Sequence, residues 1–160
     1  MLDQTEFEVR LARPEDYPAL LGLSARLTIG VAPWRNPAKV AIAVRGWVES
    51  SLASAGEDGH AVLVTLLGGH VVGLVSLAER EHFTGELDAY VSELAVDAAI
   101  EGRGGGRALM TAAEQWAAGR GLSRVMLETG ARNYRARRFY EHAGYQEEEV
   151  RLTKVIRVAR

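Results

Sequence analysis

Four glycines and two arginines cluster in this chain, directly before a segment with helical spacing. The cluster consists of Gly102, Arg103, Gly104, Gly105, Gly106 and Arg107. Glycine allows the backbone to approach a ligand closely and to adopt positive φ values. A helix N-terminus adds unpaired N–H groups and a partial positive charge, and the arginines add full charges. Together these features predict a binding site for a phosphate group rather than a flexible turn.

The spacing of these glycines argues against two common nucleotide-binding motifs. A Walker loop has the pattern G-x-x-x-x-G-K-[ST], and no Lys-Ser or Lys-Thr pair follows the cluster. The dinucleotide fingerprint G-x-G-x-x-G would need glycine at Arg107 or at Leu109. Both nucleotide-binding folds are therefore disfavoured.

Two carboxylates are candidates for proton transfer. Glu93 interrupts a largely apolar strand, where an acid is costly unless it faces a cavity or a partner. Glu128 is the last residue of the next predicted strand. Either carboxylate could instead only pair with an arginine, such as Arg103 or Arg132, and the sequence leaves these alternatives open.

Hydrophobic periodicity predicts the elements that position these residues. Alternation predicts strands over residues 7–12, 61–67, 71–78, 87–96 and 125–128, and a final strand or hairpin over 145–155. Helical spacing predicts helices over residues 14–26, 38–52, 107–119 and 133–143. The order βααβββαβαβ predicts a mixed α/β fold, in which helices flank a largely antiparallel sheet.

Composition limits the classes of protein to which the chain can belong. Its 160 residues fit one domain, which we place over residues 1–160. The lack of cysteine excludes disulfides, thiolate metal sites and a cysteine nucleophile. A net charge of -2 gives no general attraction to nucleic acid or to an anionic membrane. No run of about 18 apolar residues occurs, and the four histidines lack metal-binding spacing. We therefore expect no metal, no nucleic acid and no membrane as partners, and a cytoplasmic location.

Residues 96–110 resemble a known motif. Their sequence, VDAAIEGRGGGRALM, is similar to motif A of the GNAT superfamily of N-acetyltransferases, whose core Q/R-x-x-G-x-G/A precedes a helix. Gly104 and Gly106 fit this core, whereas Glu101 stands where Gln or Arg is usual. An acid beside a pyrophosphate would lower the affinity, so we expect Glu101 to point away from it.

A second segment strengthens the resemblance. Residues 133–145, NYRARRFYEHAGY, are similar to the family pattern N-x-x-A-x-x-F-Y-E-x-x-G-F/Y. Alone, this segment predicts only an N-capped amphipathic helix that ends at glycine. Two such motifs in this order, separated by a helix and a strand, argue against coincidence.

The resemblance implies the GNAT fold and direct transfer of acetyl from acetyl-CoA to an amine. It places the pantetheine arm of the cofactor against Leu94, Ala95 and Val96, where a main-chain N–H such as that of Val96 would bond the cofactor carbonyls. It assigns the pyrophosphate to the amides of residues 102–107. Asn133 would reach the cofactor with its side-chain amide, unless it only caps a helix.

The same resemblance suggests how protons move. Tyr140 stands where many relatives carry the general acid for the departing thiolate, and a phenol with a reference pKa of about 10 keeps its proton at pH 7. Its alternative role is packing beside Phe139. Glu93 is the first candidate for the base that deprotonates the amine. Glu128, which matches the catalytic glutamate of ribosomal-protein N-terminal acetyltransferases, is the second candidate, and solvent is the third.

The acceptor is the least determined part of this reading. We expect a primary amine of a small molecule, and acids at Glu81, Glu86, Asp88 and Glu93 favour a cationic one such as an aminoglycoside or a polyamine-like amine. Trp34 and Arg35, between the first two helices, are candidates for the acceptor pocket. Acetylation of a protein N-terminus or lysine, and acetyl-CoA sensing without catalysis, remain alternatives. A homodimer is common among relatives, but the sequence does not fix the oligomeric state.

Overall fold

The computed structural model describes residues 7–159 of the chain. These residues form the strands β1 (Glu8–Leu11), β2 (His60–Leu67), β3 (His70–Glu81), β4 (Leu87–Val96) and β5 (Val125–Leu127). They also form the helices α1 (Tyr17–Leu23), α2 (Pro37–Ser54), α3 (Gly105–Gly119) and α4 (Tyr134–His142). Short 3₁₀ segments lie at Pro14–Asp16, Ser24–Thr28 and Ala98–Ile100. None of the described helices is long and apolar enough to cross a membrane.

Local sequence signals explain where several elements begin. The side chain of Asn36 caps α2 by accepting a hydrogen bond from the backbone N–H three residues later, and Pro37 occupies the first turn. Asn133 caps α4 in the same way. Gly68 and Gly69 have φ values of +58° and +80°, which the tight turn between β2 and β3 requires.

The strands form one sheet in the order β1-β2-β3-β4-β5. Neighbours from β1 to β4 are antiparallel, and β4 and β5 are parallel. The parallel pairing joins only residues 89–91 to residues 125–127. Because β4 continues to Val96, its last five residues have no strand partner on the β5 side within residues 7–159.

Helices cover both faces of the sheet. On one face, α1 and α2 contribute Leu20, Val48 and Leu52 to a buried cluster with side chains of β2, β3 and β4. On the other face, Leu109 and Ala113 of α3 pack in a second buried cluster, against which α4 also lies. Burial of each large aliphatic side chain stabilises the fold by roughly 1.5–3 kcal/mol. The predicted fold class, a largely antiparallel sheet flanked by helices, is confirmed.

One predicted element does not form. The sequence predicts a final strand or hairpin over residues 145–155, but residues 145–159 belong to no helix or strand in the structure. Tyr145 N–H donates to Tyr140 O, and residues beyond Tyr145 make no backbone hydrogen bond within residues 7–159. Apolar and polar residues do alternate here, but a strand also needs hydrogen bonds to a neighbouring strand, and these residues make none within residues 7–159.

Candidate active site

Glu93 owes its orientation to a β-bulge in β4. Across the β3–β4 pairing, Val91 lies opposite Leu77 and Glu93 lies opposite Ser76, so Ser92 is an extra residue. In a regular strand, Glu93 would share a face with Val91, which packs toward α3. The bulge instead turns the Glu93 side chain toward α2.

Two serine hydroxyls hold the Glu93 carboxylate. Ser51 Oγ of α2 donates to Glu93 Oε2 at 2.7 Å, and Ser76 Oγ of β3 donates to the same oxygen. Glu93 is only 4% exposed, and burial raises the pKa of its carboxyl while the two hydroxyls oppose that rise. Within residues 7–159, Glu93 Oε1 accepts no hydrogen bond. A carboxyl with a raised pKa and one uncommitted oxygen is suited to accept a proton.

Main-chain groups at the end of β4 face the side where β5 no longer pairs. Asp97 N–H donates to Val72 O at 2.7 Å and therefore points toward β3. Backbone groups of a strand alternate in direction, so the N–H groups of Leu94 and Val96 point away from β3. Arg26 Nε donates to Val96 O at 3.2 Å from that open side. The N–H of Val96 is thus available where the sequence predicts a contact with the cofactor.

The glycine cluster forms the turn that leads into α3. Gly102 has a φ of +78° and Gly104 a φ of +102°, and glycine adopts such values at little cost. Gly105 is buried, and a Cβ atom at this position would lie 2.9 Å from Ile100 Cδ1. The backbone geometry of the turn therefore depends on glycine at these positions.

The beginning of α3 leaves donors free for an anion. The first N–H with a backbone acceptor is that of Ala108, which donates to Gly104 O at 3.0 Å. The three preceding helical amides, those of residues 105–107, have no backbone partner within residues 7–159, and they lie at the positive end of the helix. The exposed side chains of Arg103 and Arg107 form no ion pair with other described residues. Amides and guanidinium groups together make a cradle suited to a pyrophosphate.

Glu101 is neutralised by two arginines. Its carboxylate lies 3.0 Å from Arg26 Nη2 and 3.0 Å from Arg135 Nη1. These side chains come from the Ser24–Thr28 segment and from α4, on two sides of the cradle. The acid that departs from the usual motif is therefore balanced by two cations, and it ties the cradle to both neighbouring elements.

The phenol of Tyr140 keeps its proton at neutral pH. Burial raises the pKa of Tyr140 to about 12. Its ring packs edge-to-face against Phe139 and Tyr145, with ring centres 5.2 Å and 5.7 Å apart. Its hydroxyl makes no hydrogen bond within residues 7–159. The side chain packs as the alternative role predicts, and it also retains the proton that a general acid needs.

The structure separates the two candidate bases. The Glu128 side chain is 57% exposed and lies 3.7 Å from Arg80 Nη1, in contrast to the buried Glu93 with its neutral donors. Tyr90 lies near both acids. Burial raises the pKa of its phenol, the negative charge of Glu128 raises it further, and the charge of Glu93 adds a smaller contribution. Arg80 Cζ lies 4.5 Å from the centre of the Tyr90 ring.

Two loops close against each other beside α4. A Cβ atom on Gly30 would overlap Asn133, and one on Gly130 would overlap the carbonyl of Gly30. The half-exposed ring of Trp34 lies 5.4 Å from the Arg132 guanidinium carbon. Asn133 uses its side-chain oxygen to cap α4, which leaves its NH₂ group without a partner within residues 7–159. The loop that follows α1 thus forms a wall against the loop that precedes α4.

The other predicted acids do not lie with Glu93. Asp88 is 3% exposed and accepts from Arg124 Nε at 2.7 Å, and Glu86 lies 3.1 Å from Arg124 Nη2. These residues, like Glu81, lie at the end of the β3–β4 hairpin that is farthest along the strand from the cradle. Arg124 neutralises Glu86 and Asp88 away from the site, so these two acids give no support to a cationic acceptor, and the nature of the acceptor stays a prediction.

Comparison with known proteins establishes the family. Residues 28–145 match the model of the acetyltransferase (GNAT) family, which is most of the chain. The chain belongs to the GNAT acetyltransferase family. The resemblance predicted from the two motifs is therefore confirmed. No curated protein sequence matches this GNAT chain.

Solved structures share this GNAT fold at low sequence identity. A Pyrococcus furiosus protein classed as an acetyl transferase is 24% identical with a TM-score of 0.75, covering 94% of this chain and 100% of that one. Glucosamine-6-phosphate N-acetyltransferase from Arabidopsis thaliana is 17% identical with a TM-score of 0.66, covering 95% and 99%. Aminoglycoside N-acetyltransferase AAC(6')-Iy, in complex with a bisubstrate analogue of CoA and acetylneamine, is 15% identical with a TM-score of 0.67, covering 96% and 99%.

Sequence reasoning missed four residues around this GNAT site. Ser51 and Ser76 hold Glu93, Arg26 donates to the last carbonyl of β4, and the charges of both acids act on Tyr90. None of them belongs to a motif. Of these four residues, only Ser76 carries a signal in the sequence, because it is a polar residue within an apolar strand.

Proposed function

We propose that this GNAT acetyltransferase transfers acetyl directly from acetyl-CoA to a primary amine of a small molecule. The observation that carries the proposal is the buried Glu93 carboxyl, which two serines hold beside the open end of β4. A buried acid costs stability at this place, because its charged form is desolvated. A catalytic function would explain why the acid is present despite that cost. Removing a proton from an ammonium group is such a function.

Residues of the cradle and of β4 would hold the cofactor. The free amides of residues 105–107, with Arg103 and Arg107, suit the pyrophosphate of CoA. The N–H of Val96 suits a carbonyl of the pantetheine arm or of the thioester. The free NH₂ group of Asn133 is a further donor beside this end of the sheet.

Proton transfers would accompany the acetyl transfer. Glu93 takes one proton from the ammonium, and the amine nitrogen then attacks the thioester carbon. The nitrogen releases its second proton to solvent as the carbon–sulfur bond breaks. Tyr140 gives its proton to the departing thiolate of CoA, and solvent restores it. A phenol whose pKa is raised to about 12 stays protonated until that moment.

A small acceptor is favoured by the closed loops. The contact of Gly30 with Gly130 and Asn133 closes one side of the region next to Trp34, where a protein substrate would need an open groove. Two of the structural neighbours named above are associated with small amines. One is a glucosamine-6-phosphate N-acetyltransferase, and the other is an aminoglycoside N-acetyltransferase with a bound bisubstrate analogue. Catalysis rather than sensing is favoured by the presence of Glu93 and Tyr140 with suitable pKa directions.

Two measurements test the proposal in sequence. Acetyl-CoA at 100 times its dissociation constant should stabilise the fold by about 2.7 kcal/mol, which appears as a raised melting temperature. No shift would contradict the cofactor assignment. A panel of small primary amines, followed by release of free CoA, should then give turnover for at least one amine. Binding of acetyl-CoA with turnover only on peptides would instead favour the protein acetyltransferase, and binding without any turnover would favour the sensor.

A further inference from the structure

The face of the sheet that carries Glu93 also carries an arginine. Ser76 of β3 bonds the Glu93 carboxylate, and β3 is regular from Ser76 to Arg80, because the extra residue of the bulge belongs to β4. Side chains of a strand alternate between faces, so Arg80 lies on the same face as Ser76. Its guanidinium carbon lies 4.5 Å from the ring centre of Tyr90 in β4. The Arg80 side chain therefore crosses from β3 over β4 on the Glu93 side of the sheet.

The guanidinium of Arg80 ends beside the second acid of the site. Its Nη1 atom lies 3.7 Å from Glu128 Oε1. The last residue of β5 pairs with Val91 of β4, so Glu128 follows level with the residue just before Glu93. A positive charge thus stands next to the place where the proposed base would meet the amine.

The donors of Arg80 are not committed to an acid. A separation of 3.7 Å from Glu128 is too long for a hydrogen bond, and Arg80 forms no other ion pair within residues 7–159. Both side chains are half-exposed, so this pair contributes little to stability. Contact with the Tyr90 ring holds the guanidinium in place and leaves its N–H donors open. A guanidinium held in this way is suited to bind a carboxylate or a phosphate through two hydrogen bonds.

The loops beside this region add further positive charge. Arg132 comes four residues after Glu128, and its guanidinium carbon lies 5.4 Å from the ring centre of Trp34. Within residues 7–159, neither Arg132 nor the exposed Arg35 next to Trp34 forms an ion pair. Cations from β3, from the loop after α1 and from the loop before α4 thus border the region around Glu128. A polyamine would bring a second cation against them, whereas an anionic group would meet opposite charge.

We propose that the acceptor is a zwitterion, a small primary amine that also carries a carboxylate or a phosphate, and that Arg80 binds this anionic group. The inference rests on the proposed acetyl transfer and names the class of its acceptor. The ammonium group meets the carboxylates of Glu93 and Glu128, while the anionic group accepts hydrogen bonds from the Arg80 guanidinium. Tyr90 is a positioning residue, because its ring supports Arg80. Like charge at Arg80 disfavours an amine that carries a second cation.

Matched pairs of amines test the acceptor class. The pairs are amino acids with their amides and phosphoethanolamine with ethanolamine, and 1,4-diaminobutane serves as the dication. Two hydrogen bonds to a charged group should give the anionic member of the preferred pair a kcat/KM about 10-fold to 100-fold above that of its partner. Faster turnover of neutral or dicationic amines would overturn the zwitterion and leave the proposed acetyl transfer standing. If acetyl-CoA binds but no amine of any class is turned over, both proposals fall.

Variants of Arg80 assign the preference to this residue. Arg80→Ala should raise KM for the anionic amine by about 10-fold to 100-fold with a much smaller change in kcat, so that the preference over the neutral partner is lost. Arg80→Lys, which keeps the charge without the planar guanidinium, should give an intermediate preference. Tyr90→Phe should retain the preference, and Tyr90→Leu should lose part of it.

A second arginine on the surface provides the control. Arg45 of α2 is also half-exposed and lies 3.2 Å from an acid, Glu49, so Arg45→Ala removes a comparable ion pair elsewhere. This variant should keep the parent preference, and melting curves check that every variant is folded. Equal losses for the anionic and the neutral amine in Arg80→Ala would overturn the assignment of Arg80. The same change of preference in Arg45→Ala would also overturn it, because net charge alone would then explain the effect.

Discussion

The hydroxyl of Ser51 offers a test of the proposed base that leaves the base itself in place. Ser51 Oγ donates to Glu93 Oε2 at 2.7 Å and stabilises the charged carboxylate. Burial raises the pKa of Glu93, and the hydrogen bonds from Ser76 and Ser51 lower it. Ser51→Ala removes one of the two opposing effects. The pKa of Glu93 should therefore rise further in this variant.

The size of the rise follows from the energy of one hydrogen bond to a charged group. Such a bond contributes about 1.5–3 kcal/mol. One pKa unit corresponds to about 1.36 kcal/mol, so losing the bond should raise the pKa by about 1–2 units. The lower figure is expected, because the Ser76 hydroxyl remains bonded to the same oxygen.

The assay is the dependence of kcat/KM for the amine on pH. If Glu93 accepts the proton, activity falls on the acidic side as its carboxylate is protonated. In Ser51→Ala this acidic limb should move up by about one unit, while the rate on the alkaline plateau stays near that of the parent. In Glu93→Gln the limb should disappear along with most of the activity. Ser50→Ala is the control, because Ser50 lies exposed on the same helix.

Two results would refute the reasoning. An acidic limb that does not move in Ser51→Ala would mean that another group titrates. A limb that survives in Glu93→Gln and vanishes in Glu128→Gln would transfer the role to Glu128. The double variant Ser51→Ala, Glu93→Gln should behave like Glu93→Gln alone, since the two residues act through one carboxylate.

Three further predictions concern Tyr140, Gly104 and the stability contributed by Glu93. Tyr140→Phe should lower kcat by about 100-fold with little change in acetyl-CoA affinity, measured by steady-state kinetics and calorimetry, because only the acidic hydroxyl is lost; an unchanged kcat would leave Tyr140 a packing residue. Gly104→Ala forces alanine to a φ of +102°, a strain of roughly 1–2 kcal/mol. The free turn can relieve this strain only by leaving the conformation proposed to bind the cofactor, so acetyl-CoA should bind about tenfold more weakly. Gly119→Ala, in open space at the end of α3, should bind normally. Burial raises the folded-state pKa of Glu93 above 4.5, so the free energy of unfolding should fall as pH rises from 4.5 through the folded-state pKa. Glu93→Gln should remove this fall, as measured by melting temperatures across pH. A parent protein that becomes more stable than Glu93→Gln as pH rises would contradict the prediction.

The cradle was predictable because its residues are contiguous. Gly102 and Gly104 need positive φ, and the helix that follows supplies free amides within the same short stretch. Asn133 was predictable as a helix cap for the same reason, since the bond it accepts is local. Short-range signals of this kind also located every helix and the first five strands.

The surroundings of Glu93 were not predictable, because they depend on contacts distant in sequence. Ser51 lies 42 residues away and Ser76 lies 17 away, and a bulge at Ser92 decides which face the carboxylate reaches. Periodicity counts residues along one strand, so a single inserted residue reverses its assignment of faces. The sequence ranked Glu93 above Glu128, but the difference in their burial comes from the tertiary structure alone.

The sequence by itself determined the GNAT family, the order of the elements up to α4 and the glycine turn that leads into α3, because each depends on residues that are close along the chain. Tertiary structure decided which carboxylate is buried, that Glu101 is balanced by two arginines, and that the acids at Glu86 and Asp88 lie away from the site. It also decided that residues 149–159, although patterned as a strand, pair with no strand among the described residues. The physical reason is the same in each case: burial, charge pairing and strand pairing are properties of neighbours in space.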